Sequence, residues 1–233
     1  MNKISFKIRV SEIADVAHRL VNIFAKEASL QNDVFLKNLF AKIELQATAI
    51  SIAIKKETAV SKLEDADNLR DETIINLHNI LVGYRSMRTT EIKESAEKIY
   101  AVFERYGTKI TRENYSSESG HIESLLRDLA ATDLQEAIGK LSGVAETIEE
   151  LRTRQKAFHT EQQTYEKALS AQGTSESATA LKKTLLELIN NKLVYFLIAT
   201  NTEAHYQNLS NLVAQIINST NETISRRSKK TDK

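Results

Sequence analysis

Residues 32–60 read NDVFLKNLFAKIELQATAISIAIKKETAV. Within them Leu36, Phe40, Ile43, Ala47, Ile50 and Ile54 recur at alternating steps of four and three. That is the period of one face of an α-helix and, when sustained, of a seam along which helices zip together. No proline interrupts it, here or anywhere in the 233 residues, and only six residues are glycine. Proline deletes a helical hydrogen bond and clashes with the preceding turn, so its absence removes the strongest helix breaker. The expected fold is all-α.

The same period extends outward on both sides. Before the seam, Ile13, Val16, Leu20, Ile23 and Phe24 predict a helix over 11–28. After it, the acidic and polar stretch 61–68 predicts a turn or weak junction. Helices are then expected over 69–84 (Ile74, Leu77, Leu81, Tyr84) and over 90–106 (Ile92, Ala96, Ile99, Phe103, Tyr106). Gly83 and Gly107 stand where a left-handed residue closes a helix. The second half repeats the plan with a short helix over 122–129 and a long one over 144–169, its end marked by Gly173. A helix over 178–200 is apolar nearly all round and should be central. A last helix carries Tyr206, Leu209, Val213 and Ile216. The expectation is about eight helices in two packed antiparallel bundle-like halves, with coiled-coil-like packing and an internal repeat. The halves are 1–110 and 120–225, with a polar junction at 111–119 and a basic, flexible tail at 226–233.

Residues 3–10 break the helical pattern. Ile4, Phe6, Ile8 and Val10 alternate with Lys3, Ser5, Lys7 and Arg9, the period of a strand. A lone strand in a helical protein must lie extended against the helices or pair with a second copy.

Composition excludes several classes. Lys and Arg total 32 against 31 Asp and Glu, a formal net charge of +1, so no global field draws nucleic acid or an anionic membrane. The absence of cysteine removes disulfides, thiolate metal sites and cysteine nucleophiles. The longest apolar run, 193–199, is far short of the ~20 residues of a membrane span. A soluble cytoplasmic protein is expected.

Four segments carry a resemblance: NLRDETIINLHNILVGYRS (68–86), EIKESAEKIYAVFERYG (91–107), ESGHIESLLRDLAATDLQEAIGKLSGV (118–144) and ELRTRQKAFHTE (150–161). Together they resemble a family of all-helical bacterial proteins of unknown function, common in Bacteroidetes, over roughly residues 65–225. The resemblance implies a helical architecture and carries no activity, cofactor or catalytic residue.

Candidate chemistry is sparse. A carboxylate-bridged metal site in a helical bundle uses Glu-x-x-His pairs, and Glu118 with His121 is the one such pair here. It lies in the polar junction, where an acceptor-rich helix N-terminus is the simpler explanation. There is no Gly-x-Ser-x-Gly turn and no glycine-rich phosphate loop. Gln155 and Gln162 occupy seam positions of the long helix over 144–169. There an amide either fixes register, lines a pocket, or escapes to solvent. Lys192, in the apolar helix, raises the same question, and lysine can carry its ammonium outward. Arg226, Arg227, Lys229 and Lys230 in the tail offer at most non-specific, salt-sensitive contact with nucleic acid. No cofactor is expected. A non-catalytic helical interaction or scaffold protein, forming a homo-oligomer or binding another protein, ranks first. A bundle holding a small apolar ligand among Tyr84, Tyr106, Tyr165, Tyr195 and Tyr206 comes next, and a metal enzyme third.

Overall fold

The computed structural model describes residues 1–170 and 176–231, with side chains through 229. The expected end of a helix at Gly173 lies outside the described residues. Eight helices and no β-strand occur among the described residues: α1 (Val10–Lys26), α2 (Val34–Arg85), α3 (Thr90–Glu104), α4 (Tyr115–Leu129), α5 (Thr132–Gly139), α6 (Val144–Ser170), α7 (178–199) and α8 (Ala204–Thr231). The centre of α7, Leu188–Leu193, is π-helical.

The compact units are not the two sequence halves. One unit combines Met1–Glu57 with Ala168–Lys233, and the other is Thr58–Lys167. The expected junction at 61–68 is absent, because α2 runs unbroken for 52 residues. Lys, Leu, Glu and Ala in this stretch are good helix formers, and without glycine or proline its Ser, Asp and Asn cost no more than about 0.7 kcal/mol each. The division shows instead in the buried stripe of α2. Leu36, Ile43 and Ile50 are spaced by seven, and continuing by sevens would reach 57, 64 and 71. The buried residues are Leu63, Arg70 and Leu77. The spacing slips by one residue where one unit's buried stripe ends and the other's begins.

In the first unit α1, the first part of α2, α7 and α8 enclose one apolar cluster that includes Ile13, Leu20, Ile43, Ile189, Leu193 and Val213. Phe24 stacks on Phe40 with ring centroids 4.2 Å apart. The N-terminal residues form no strand. A turn closed by the Ile8 amide donating to the Ser5 carbonyl (3.1 Å) breaks the alternation, burying Ile4 and Ile8 and leaving Phe6 exposed. The expected flexible tail is also different: α8 continues as helix through Thr231. Ile224 is buried in its last third, and Arg227 is bonded to Glu12 and to the Lys7 carbonyl.

In the second unit the rest of α2 joins α3, α4, α5 and α6 around Ile74, Leu77, Ile99, Phe103, Leu125 and Leu151. The segment 108–120 is no linker. A short 3₁₀ turn, Thr108–Arg112, buries Ile110 completely, and α4 begins at once under an Asn114 cap that accepts from the Ser117 amide (3.1 Å).

Gly107 closes α3 with φ of 64°, its amide donating to the Phe103 carbonyl (2.8 Å). Gly83 does not close α2; it lies inside the helix, with open space where a Cβ would stand. The two should respond oppositely to alanine. Gly83→Ala should stabilise by up to about 1 kcal/mol, and Gly107→Ala should cost about 1–2 kcal/mol for forcing a Cβ into the left-handed region. Urea unfolding midpoints of the two variants check this; equal shifts would contradict it.

Candidate functional site

The second unit's polar chemistry converges on one side chain. Leu63, Asp67, Arg70, Ile74, Leu77 and Leu81 continue the four–three spacing along α2, so Arg70 sits on the buried seam with 0 % of its surface exposed. Its guanidinium is engaged from three helices. Nη2 donates to Asp67 Oδ1 (2.7 Å) one turn back on α2 and to Glu118 Oε2 (2.6 Å) on α4. Nη1 donates to Ser119 Oγ (2.9 Å) and to Gln155 Oε1 (3.1 Å) on α6. The face of the cation lies 3.7 Å from the centroid of the Phe158 ring, itself met edge-on by Tyr115. A planar fork with fixed donor directions suits such a multi-helix junction better than a lysine ammonium could.

The helices place these groups for local reasons. Asp67, Arg70 and Asp71 lie within two turns of α2, where residues three and four apart share a side. Glu118 closes the first turn of α4 and Ser119 opens the second, just after the Asn114 cap. Gln155 and Phe158 are successive positions on the α6 seam.

Three carboxyls face this one guanidinium. Oxygen atoms of Asp67, Asp71 and Glu118 lie within 4.8 Å of one another. Asp71 Oδ1 and Glu118 Oε1 are both buried, and neither has a donor if both groups are ionised. One proton shared between them satisfies both atoms. Burial, then the neighbouring Asp71 carboxyl, pushes Glu118 up to about 8. Burial also raises Asp71. The larger rise falls on Glu118, the more buried of the two, which favours it as the holder of the shared proton. Asp67, Asp71 and Glu118 are also the residues that could hold a cation. Arg70 already occupies that role at 2.6–2.7 Å from two of them, and a metal would have to compete with it.

From Arg70 the network leads outward. Gln155 Nε2 lies 3.0 Å from His159 Nε2, which lies 3.0 Å from Glu123 Oε1. Since Gln155 Oε1 accepts from Arg70, its amide nitrogen must face the histidine. His159 Nε2 can accept from Gln155 or donate to Glu123, not both at once.

The residues singled out in the sequence separate here. Glu118 and His121 do not share a site: Glu118 is buried against Arg70, while His121 Nδ1 meets Glu113 Oε2 at 2.9 Å. Gln155 is 4 % exposed and belongs to the cluster. Gln162 is half-buried, one turn beyond the end of the buried seam at Phe158, and Lys192 is exposed. Arg70, Asp67 and Asp71 were not anticipated. The signal that could have found them is the seam spacing itself, which passes through 67 and 70 once charged residues are allowed on it.

The model of a family described as a "Family of unknown function (DUF6261)" matches residues 60–216. No curated protein and no solved structure matches the chain. The matched span contains every residue of the Arg70 cluster.

The titration of Glu118 gives a signed expectation. Its folded value of about 8 stands above the ordinary 4.5, so between these values the folded chain keeps a proton that the unfolded chain releases. Stability should fall as pH rises through that window and level off above it. Glu118→Gln, which mimics the protonated acid, should flatten the slope; urea midpoints measured from about pH 5 to about pH 9 check it. Arg70→Met, leaving the carboxyls without their counter-ion, should cost about 3–5 kcal/mol at neutral pH.

Proposed function

We propose, for a chain that belongs to this family of unknown function, a non-catalytic role as a self-associating helical interaction protein. One observation carries the reading: the two ionisable groups of the second unit that are fully buried among the described residues, Arg70 and Glu118, bond each other, with Asp67 and Asp71 half-buried at the edge. Arg70, Glu118 and Gln155 are all but fully buried; Arg70 Nη1 and Nη2 bond Gln155 and Glu118, while Arg70 Nε has no acceptor. A catalytic acid must reach the proton it transfers in a bound substrate, and a raised carboxyl locked behind a guanidinium and a phenyl ring does not. Such clusters can instead set the register of the helices that supply them.

The same accounting disfavours a small apolar ligand held by tyrosine tips. The hydroxyls of Tyr84, Tyr106 and Tyr206 donate to the Ser142 carbonyl, to Asp128 and to Asp33, and that of Tyr195 accepts from Lys3. Contact with nucleic acid through the C-terminal basic residues is disfavoured too, since Arg226 lies 3.5 Å from Glu222 and Arg227 is bonded to Glu12. No helix among the described residues is long and apolar enough to cross a membrane, which accords with the cytoplasmic location we propose.

Light scattering coupled to size exclusion should return a stable multiple of the 26.3 kDa chain. A monomer at every attainable concentration would overturn self-association. A hydrolytic or metal-dependent activity lost in Glu118→Gln but kept in a stability-matched core variant would overturn the non-catalytic reading.

A further inference from the structure

Residues 2–8 occupy a seat built by residues distant in sequence, and the seat reads mainly their backbone. Asn190 makes a bidentate pair with Ile4: its Oδ1 accepts from the Ile4 amide (2.8 Å) and its Nδ2 donates to the Ile4 carbonyl (2.9 Å). Asn221, on α8, spans the flanking residues, accepting from the Ser5 amide (3.0 Å) and donating to the Lys3 carbonyl (2.8 Å). Lys182 donates to the carbonyls of Phe6 (3.2 Å) and Ile8 (2.5 Å), and Arg227 to that of Lys7 (3.0 Å). Two amide side chains thus do for residues 3–5 what a neighbouring strand would do in a sheet. Asn190 is itself buried, and it lies in the π-helical turn of α7. Such a turn inserts one extra residue and turns the following side chains to a new side.

Three features make this seat indifferent to which copy fills it. First, the main-chain bonds come from α7 and α8, none from α1, the helix to which the segment is tethered. Second, the segment joins α1 through one extended residue, Arg9, with φ of −75° and ψ of 159°. Withdrawing it removes only Ile4 and Ile8 from the core. Third, the segment's one aromatic ring, Phe6, is 74 % exposed. No described residue buries it, and an aromatic ring is a large apolar area to leave in water.

We propose that the protein self-associates by reciprocal exchange, the residues 2–8 of one copy seated on Asn190, Asn221 and Lys182 of a second. Every bond of the seat is kept in the exchanged pair, so the exchange itself is nearly neutral in contacts, as in domain swapping generally. What it adds is cover for Phe6 between the copies. With residues 3–8 held in the seat, only the link from Ile8 through Arg9 to Val10 is free to redirect, and its two steps reach at most about 7 Å, which confines the exchange to neighbours whose seats stand side by side. The inference rests on the self-association proposed above and names its mode.

The cysteine-free chain allows a clean test. Asn2 and Asn218 are exposed and bonded to each other (Nδ2 to Oδ1, 3.1 Å). Two differently tagged full-length chains, Asn2→Cys and Asn218→Cys, are co-expressed and treated with a short bis-maleimide linker. Exchange predicts a covalent pair carrying both tags, at many times the yield of an Asn2→Cys chain paired with an exposed Glu72→Cys chain as collision control. Adding Asn190→Ala to the Asn218→Cys chain should remove the excess. The double variant Asn2→Cys/Asn218→Cys reports on the seat in one polypeptide. If it cross-links only within a single chain and the mixed pair stays at the control level, the exchange is refuted. A light-scattering oligomer with that cross-linking result would leave self-association standing by another surface; a monomer would remove both.

Discussion

A guanidinium removed entirely from water governs the second unit. Burying an unpaired charge is prohibitive, so Arg70 can be where it is only if acceptors from α2, α4 and α6 arrive together. Apolar seams alone do not fix such a meeting. A leucine stripe tolerates a slide of one helical turn, because the next leucine fills the same space. Asp67, Glu118, Ser119 and Gln155 tolerate none, because the fork of Arg70 accepts one set of directions. The cluster therefore contributes less to the depth of the energy minimum than to its uniqueness. An apolar substitute of similar shape at every one of these positions could be as stable and would leave the register to packing alone.

The first unit solves a related problem at its buried end with neutral groups. Its N-terminal segment brings peptide amides and carbonyls against the bundle, and these need partners as strictly as a charge does. Asn190 and Asn221 supply donors and acceptors in pairs, with no net charge to desolvate. The π-helical turn is part of that solution. In an uninterrupted α-helix the burial of Leu185, Ile189 and Leu193 would continue on one face, whereas the extra residue lets Asn190 be buried beside them. Glu12 completes the arrangement at the segment's exit. It accepts from the Arg9 amide at 2.8 Å and from Arg227, so the start of α1 and the end of α8 are tied through one carboxylate.

What was legible in the sequence is what depends on local periodicity. The seam of 36–54, the stripe of α1, the apolar α7 and the stop at Gly107 each follow from spacing or from a single residue's backbone freedom, and each is present. Gln155 was visible as an amide on a seam. Its partner was not, because Arg70 follows the polar run 61–68, and polarity there suggests a turn when the apolar spacing is read by itself. Residues 3–10 show the converse error. Their alternation is real, but one turn at 5–8 converts a strand period into two buried isoleucines and an exposed phenylalanine. The C-terminal basic residues lack apolar neighbours, yet Ile224 anchors the turn before them and Arg227 finds acceptors more than 200 positions away. Contacts at such separations leave no trace in a local pattern.

The order of these elements along the chain has its own consequence. The second unit is contiguous, so its contacts form within one stretch of sequence. The first is assembled from both ends, and α1 can meet α8 only by closing almost the whole chain into a loop. Closure entropy grows with the length of free chain enclosed, and distant pairings are correspondingly slow to form. A folded second unit shortens that free chain, because 58–167 then spans a fixed distance in place of a random one. The residues that hold α2, α4 and α6 in register thus lower the entropic barrier to a core that contains none of them. On this view the Arg70 cluster acts on the first unit through the loop it closes, without touching it.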